Sequence, residues 1–379
     1  MKPTTEDELA EAIATARGPL AIRGGGTRPV GVPTAGAQVL DTTGLAGVTL
    51  YEPAALTLVV RAGTPLSEVT ALLAAEGQRL PFEPPDWGAA LGAPGGSRIG
   101  GVVAANASGP ARVALGACRD ALIGVRFVDG TGTIVKNGGR VMKNVTGYDL
   151  AKLMAGSWGT LGVLSEVAFK LLPAAPETAT LVLPGLGAEA AVPVLSRALG
   201  APLGVTGAGW MPGTGALLRL EGRGAGLAER LAAARALFPD HALDLAPDPV
   251  APWRALASLA PLAALPGDLW RISCRPSEAP AILARLGLSR LGLARPGLAA
   301  GPAQAAPVLL DWGGGLIWAR LPEGCDARAL AAPFAGHATR FLPAGPGAFA
   351  PEPAPVAALS CGLRARFDPQ GRLNPGRMG

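Results

Sequence analysis

Three glycine-rich segments carry the chemistry this sequence can offer. The longest is Gly92-Ala-Pro-Gly-Gly-Ser-Arg-Ile-Gly-Gly-Val-Val-Ala-Ala-Asn-Ala-Ser-Gly109. The others are Gly24-Gly-Gly-Thr-Arg28 and Gly156-Ser-Trp-Gly-Thr-Leu-Gly162. Side chains this small let a main chain approach a ligand closely, and successive N–H groups in such turns converge on anion oxygens. A glycine triplet taken alone equally suits a plain flexible turn. Three such loops, each beside a strand within the first 165 residues, suit a large phosphate-bearing cofactor.

Other chemistries lack their residues. No Gly-x-Gly-x-x-Gly occurs, because Pro29 stands where the last glycine would, so the Rossmann fingerprint is missing. No Gly-Lys dipeptide and no Gly-x-Ser-x-Gly elbow exist, which excludes the usual P-loop and hydrolase nucleophile. The two histidines, His241 and His337, lie far apart in sequence, and no metal site is expected. The four cysteines, Cys118, Cys274, Cys325 and Cys361, form no Cys-x-x-Cys. That spacing speaks against an iron–sulfur cluster in this chain and fits free thiols in a reducing compartment.

The elements that must position the loops are partly legible. Residues 5–16 read as a helix, with Thr5 and Glu8 as a capping box and Leu9 and Ile13 on one face. A strand, Leu20–Arg23, feeds the first loop. Strands are predicted at Val48–Tyr51 and Leu56–Arg61, then a helix with Thr64 as N-cap, Pro65 at its first position and Gly77 beyond its end. Asp129-Gly130 turns one strand into another, a short helix covers Tyr148–Met154, and a strand follows from Val163. Beyond residue 173 the chain is rich in Ala, Leu and Pro. There helices are predicted at Leu227–Phe238 and Ala279–Leu286, and strands at Ala216–Leu220, Leu269–Ser273 and Gly315–Arg320. No internal repeat is legible.

Composition bounds the class. With 379 residues, 49% hydrophobic and 16% charged, the chain is globular and long enough for two domains. No segment reads as a membrane span or a secretory signal. The net charge is +5, but arginine is scattered and aromatics are only 4%, so no nucleic-acid surface is expected.

The loops resemble a known family. Ile22-Arg-Gly-Gly-Gly-Thr27, Ser97–Gly109, Arg119-Asp-Ala-Leu-Ile-Gly124, Gly156–Glu166 and Phe367-Asp-Pro-Gln-Gly-Arg-Leu-Asn-Pro-Gly376 resemble the FAD-binding domain of the vanillyl-alcohol oxidase, or PCMH-type, flavoprotein superfamily. Gly139-Arg-Val-Met-Lys-Asn-Val-Thr-Gly-Tyr-Asp-Leu-Ala-Lys-Leu153 is most similar to the FAD-binding E subunits of bacterial glycolate oxidases. The resemblance implies an α+β fold: a two-subdomain PCMH-type FAD domain over 1–173, a ferredoxin-like α+β cap over 174–350, and a segment over 351–379 that packs back on the FAD domain. It implies FAD contacts from Arg23, Gly24, Gly25, Gly26 and Thr27 in the first loop. The second loop would contribute Pro94, Gly95, Gly96, Ile99, Gly100, Gly101, Ala105, Asn106 and Gly109, and Gly159, Gly162, Val163 and Asn374 would complete the site.

Departures from the family refine the expectation. Relatives with a covalently attached flavin carry a His in the first loop; Thr27 here implies noncovalent FAD. Relatives that oxidise 2-hydroxy acids directly carry a His/Glu metal cluster and a catalytic His, and this chain has neither. Leu316-Ile317 stand where members of the family are expected to carry Gln-Arg. The expected role is therefore the FAD-binding subunit of a complex that oxidises glycolate to glyoxylate. Its partners would be a catalytic FAD-linked D-type subunit and an iron–sulfur F-type subunit. The complex would be cytoplasmic and reach the inner face of the membrane through its assembly. Two alternatives remain: a stand-alone FAD-dependent dehydrogenase, or a structural subunit without flavin.

Overall fold

The computed structural model describes residues 1–32, 35–93, 95–139, 147–288 and 307–378. Helix α1 (Glu6–Ala14) starts at Thr5, whose hydroxyl oxygen accepts from Glu8 N at 3.1 Å. The Glu8 carboxylate reaches back to Thr4 rather than Thr5, so the expected box closes one residue early. Leu9 and Ile13 are its fully buried face. Strands β1 (Leu20–Arg23) and β2 (Gln38–Asp41) pair in parallel beside it.

Next come β3 (Val48–Glu52), β4 (Thr57–Arg61), α2 (Leu66–Ala75) and β5 (Gln78–Arg79). Thr64 does not cap α2: its hydroxyl is held by Gly47 and by the Arg61 carbonyl, in the turn before the helix. The short helices α3 (Ile99–Ala104), α4 (Arg112–Leu115) and α5 (Cys118–Ala121) follow. Then come β6 (Leu122–Val128), β7 (Ile134–Gly138), α6 (Leu150–Met154), β8 (Val163–Lys170) and β9 (Leu172–Pro173). An antiparallel five-stranded sheet, ordered β3-β4-β8-β6-β7, backs the loops. Phe82, Phe127 and Phe169 are fully buried in the core beneath them.

The remainder is built on one eight-stranded antiparallel sheet. Its first half is β10 (Glu177–Leu183), α7 (Ala188–Gly200), β11 (Val205–Met211), β12 (Gly215–Gly222), α8 (Gly224–Leu237) and β13 (Asp244–Leu245). After α9 (Ala251–Ser258) and α10 (Ala260–Ala263), the second half is β14 (Asp268–Cys274), α11 (Ala279–Arg285), β15 (Val308–Asp311), β16 (Leu316–Leu321), α12 (Ala327–Ala331) and β17 (Gly336–Leu342). The sheet order is β13-β10-β12-β11-β15-β16-β14-β17. Each half is thus a β-α-β-β-α-β unit with ferredoxin-like strand order, and the two join edge to edge where Trp210 pairs with Leu310. The cap is therefore a structural duplication, which the sequence conceals. The clearest trace is Arg219 in β12 and Arg320 in β16, the third strand of each unit.

The cap sheet is covered on both faces. In β16, Ile317, Ala319 and Leu321 pack under the cap helices, while Leu316 and Trp318 join the core shared with the glycine-loop domain. All six residues of β16 are buried. Polar anchors cross the seam: Arg219 pairs with Glu83 at 2.8 Å, Arg79 with Glu221 at 2.7 Å, and Arg320 Nη2 donates to Ala90 O. Trp87, Trp318 and Phe341 meet edge-on there, with ring centroids 4.9–5.4 Å apart.

Helix α13 (Ala354–Phe367) leads into the tail. The tail returns as the resemblance implied. Leu373 bridges Leu20 in parallel, Leu20 N donates to Arg372 O at 2.7 Å, and Gly130 N donates to Phe367 O at 2.8 Å.

Candidate cofactor site

The first loop leaves the end of β1 and locks into the second by main chain against main chain. A Cβ on Gly25 would stand 1.8 Å from Gly96 O, and one on Gly95 would stand 1.9 Å from Gly25 O. No side chain can occupy either position without parting the loops. Behind them, a Cβ on Gly100 would meet that of Ala62 at 2.6 Å, which seats the start of α3 directly on the turn after β4.

A cavity of about 330 Å³ opens beside this junction. Of the residues expected to touch a cofactor, Arg23, Gly24, Gly25, Gly26, Thr27, Gly100, Gly101, Gly159, Gly162, Val163 and Asn374 line it. Arg28, Thr42, Ala62, Arg98, Ala104, Trp158 and Arg377 line it too, and the sequence reading did not single them out for this role. Arg98 lay in plain view between the two glycine pairs, and Arg377 directly after Asn374-Pro-Gly376.

The wall chemistry is one-sided. Among the described residues, Arg23, Arg28, Arg98 and Arg377 contribute four guanidiniums, and no Asp, Glu or His lines the cavity. Arg28 is buried and hydrogen-bonds only neutral groups, Ser97 Oγ at 2.8 Å and Pro85 O at 2.7 Å among them. Burial without an ion-pair partner pushes its pKa down to about 10, so it is still a cation at neutral pH. Arg377 lies over the Trp158 ring at 5.5 Å, and its pKa is also lowered by burial. The Nε atoms of Arg28, Arg98 and Arg377 are buried without a hydrogen-bond partner. Among the described residues, the backbone N–H groups of Gly24, Gly25, Gly26 and Thr27 donate to no protein acceptor either. Such a set of unfilled donors suits a ligand rich in anionic oxygens, and the phosphates of a dinucleotide supply them.

Asn374 clamps the cavity rather than opening onto it alone. It is 3% exposed, with a left-handed backbone (φ +45°). Its Oδ1 accepts from Ile22 N at 2.9 Å, and its Nδ2 donates to Trp158 O at 2.9 Å. One side chain from the tail thus ties the end of β1 to the third glycine loop. Asn374→Ala strands a half-buried N–H and a half-buried carbonyl, and should lower stability by about 1–2 kcal/mol. Urea unfolding measures this directly, and an unchanged midpoint would remove the clamp from the account.

The other expected residues that the structure describes do not line the cavity. Gly95 and Gly96 back the first loop, and Ile99 is fully buried with its N–H bonded to Thr64 O. Ala105 closes α3, and Asn106 (φ +46°) accepts from Arg119 N. Gly109 abuts Glu83 O, and its carbonyl accepts from Trp312 Nε1 at 3.1 Å. Pro94 lies outside the described residues.

Comparison with known proteins settles the lineage. The FAD binding domain family matches residues 1–138. The glycolate oxidase subunit GlcE of Escherichia coli (strain K12) is 36% identical over 377 residues, covering 98% of this chain and 95% of its own. The chain belongs to the GlcE family. It carries an FAD-binding domain and is an FAD-dependent oxidoreductase of that family. More distant matches cover about half of the chain. The glycolate oxidase subunit GlcD of Bacillus subtilis (strain 168) is 32% identical over 46% of this chain and 37% of its own length. The mitochondrial D-2-hydroxyglutarate dehydrogenase of Bos taurus is 32% identical over 54% of this chain and 37% of its own. Among solved structures, an alkyldihydroxyacetonephosphate synthase superposes with a TM-score of 0.70 at 14% identity, covering 99% of this chain and 76% of that one. That likeness concerns fold alone. Among the described residues, no helix is long and apolar enough to cross a membrane.

Proposed function

We propose that this chain is the FAD-binding subunit of a complex that oxidises glycolate, or a closely similar 2-hydroxy acid, to the 2-oxo acid. The observation that carries the reading, among the described residues, is a cavity walled by four guanidiniums and no carboxylate, beside four successive unpaired N–H groups. Gly24–Thr27, Arg98 and Arg377 hold the phosphates, Gly101 gives room for close approach, and Trp158 and Val163 supply apolar wall. Bound there, FAD supplies hydride and electron transfer, which side chains alone cannot. Thr27 offers no nucleophile of the kind that anchors flavin covalently, so the cofactor is held by these contacts alone.

Among the described residues, no general base lines the cavity. Proton removal from the hydroxy acid therefore falls to a companion FAD-linked D-type subunit, and an iron–sulfur F-type subunit takes the electrons onward. Membrane association comes through that assembly. The names of the GlcE and GlcD relatives, both subunits, support a heteromeric complex. Co-expression tests it: glycolate turnover should need all the companions, and full turnover by this chain alone overturns the divided labour.

The cofactor contacts have their own readout. Arg98→Gln and Arg377→Gln should each weaken FAD binding by about ten- to a hundredfold, the loss of one charge-assisted contact. Titration of the flavin-stripped chain, followed by flavin fluorescence, reads this out. Acid precipitation should leave all the flavin in the supernatant; a yellow pellet would mean a covalent link.

A further inference from the structure

Helix α13 is set the wrong way round for a surface helix. None of its 14 residues is buried. Those half-buried against the chain are Ala357, Ser360, Arg364 and Phe367, one helical face at spacings of three, four and three. That face holds two small residues and a charge, and only Phe367 anchors it, its ring centroid 6.0 Å from that of Phe127. A self-sufficient surface helix turns its apolar stripe inward. Here the large aliphatic side chains turn outward: Val356 is 46% exposed, Leu359 71% and Leu363 39%. At i, i+3 and i+7 they form one stripe, and Arg366 extends it one heptad after Leu359.

Little within the chain supports this helix. Its side-chain hydrogen bonds stay local: Ser360 Oγ donates to Glu352 at 3.0 Å, and Arg364 Nη2 to Cys361 Sγ at 3.9 Å. Gly362 in its interior costs about 1 kcal/mol relative to alanine. A helix of this length is marginal in water without packing. The exposed stripe therefore calls for a cover.

Charge and position say what the cover is. The charged residues of Ala354–Phe367 are Arg364 and Arg366, with no Asp or Glu. Among the described residues, Arg366 has no hydrogen-bond acceptor and no carboxylate within 4.0 Å. A second copy in a two-fold pair would present the same helix, and no acid on it, to these arginines. Helices that lie on membranes are rich in Lys or Arg on one face and carry Trp or Phe on the other; here there is no Lys or Trp, and Phe367 is spent on Phe127. Beyond α13 the chain runs directly into the tail, whose Asn374 and Arg377 line the cofactor cavity. Electron transfer falls off steeply with distance, so an electron acceptor has to dock close to that cavity.

We propose that the Val356–Leu359–Leu363 stripe of α13, rimmed by Arg366, docks in an apolar groove with an acidic rim on the iron–sulfur companion subunit. The proposal rests on the heteromeric reading above. A helix laid in a groove is held by anchors at i, i+3 and i+7. Opposite charge at the rim selects the partner and speeds its approach.

Capture of the full-length chain on a tagged iron–sulfur subunit, after co-expression of all the subunits, tests the surface. The double variant Leu359→Glu, Leu363→Glu should keep its flavin, and the amount captured should fall at least tenfold. Arg366→Glu should reduce capture less, and Leu330→Glu, exposed on α12, should match wild type. A double variant captured like wild type overturns the surface and leaves the heteromeric reading intact. Wild type captured by neither companion sinks both. In pairwise co-expression, a loss of capture on a tagged D-type subunit alone gives the helix to that subunit and overturns the assignment made here. Should the double variant lose its flavin, hydrogen exchange on the wild type decides. Amides of residues 356–366 should exchange fast in the lone chain and slow with the iron–sulfur subunit bound; no slowing overturns the proposal. A lone chain that dimerises in sedimentation, or that binds phosphatidylglycerol vesicles, overturns it too if the double variant abolishes the effect.

Discussion

Gly25→Ala is expected to give a chain that purifies without flavin. The added methyl would sit 1.8 Å from Gly96 O and 2.9 Å from Gly96 C. Both are main-chain atoms, so no rotamer change relieves the contact, and one loop must move. Overpacking of this kind costs about 1–3 kcal/mol where side chains can adjust, and a backbone obstacle puts the cost at the upper end. Movement of the first loop also scatters the N–H groups of Gly24–Thr27, on which phosphate binding rests. Affinity for FAD should fall by more than about a hundredfold, equivalent to two such lost contacts. Gly96→Ala is the matched control, because a Cβ there meets nothing within 4 Å. The ratio of flavin absorbance to protein absorbance in the two purified variants is the measurement. A yellow Gly25→Ala protein of wild-type affinity would show that the interlock does not shape the cradle.

That contrast between adjacent glycines also marks what the sequence could and could not tell. The loops were legible because their function is local: a run of small residues next to a strand means close approach wherever it occurs. Which glycine meets a ligand and which meets another loop depends on pairing across some seventy residues, and Gly25 against Gly96 carries no local signature. Arg98 and Arg377 were missed for another reason. In a chain where arginine is scattered throughout, one more arginine in a turn is no signal until its neighbours are known to lack carboxylates.

The cap was poorly legible for a packing reason. Strands β4 and β8 could be read from their β-branched and alternating pattern. The strand expected at Gly315–Arg320 is found as β16, but every residue of it is buried, so which face meets the helices and which the glycine-loop domain cannot be told from polarity. Helix α7 carries Pro193 in its interior, which masks it as a helix. The duplication stayed hidden because the two halves keep topology and not sequence. What they share visibly is Arg219 and Arg320, both buried and both reaching across the seam, to Glu83 and to Ala90 O.

The same seam makes the fold lose stability as the pH rises from acid to neutral. Asp311 is 4% exposed, and its carboxyl is raised from 3.8 to about 7. Burial is the main cause; Glu83 adds to it, while the Trp312 N–H bond, Arg219 and Arg271 oppose it. The sign follows from proton uptake. Well below its ordinary pKa of 3.8 the carboxyl is protonated in both the folded and unfolded chain and imposes nothing. Between pH 4 and 7 the folded chain keeps a proton that the unfolded chain releases, so stability falls as pH rises. Above pH 7 the full cost is present: about three pK units at about 1.4 kcal/mol each, or about 4 kcal/mol. Glu6 and Glu221, whose pKa values are lowered in the folded state, contribute the opposite slope. The wild-type profile alone is therefore ambiguous, and the difference from Asp311→Asn isolates the residue. Asparagine keeps an oxygen for the Trp312 N–H and cannot ionise. Urea unfolding should find Asp311→Asn equal to wild type near pH 3, below the ordinary carboxyl pKa of 3.8, and more stable by up to about 4 kcal/mol at pH 8. A variant less stable than wild type at pH 8 would mean that Arg219 and Arg271 outweigh burial. Asp311 would then be an ionised anchor of the seam rather than a protonated one.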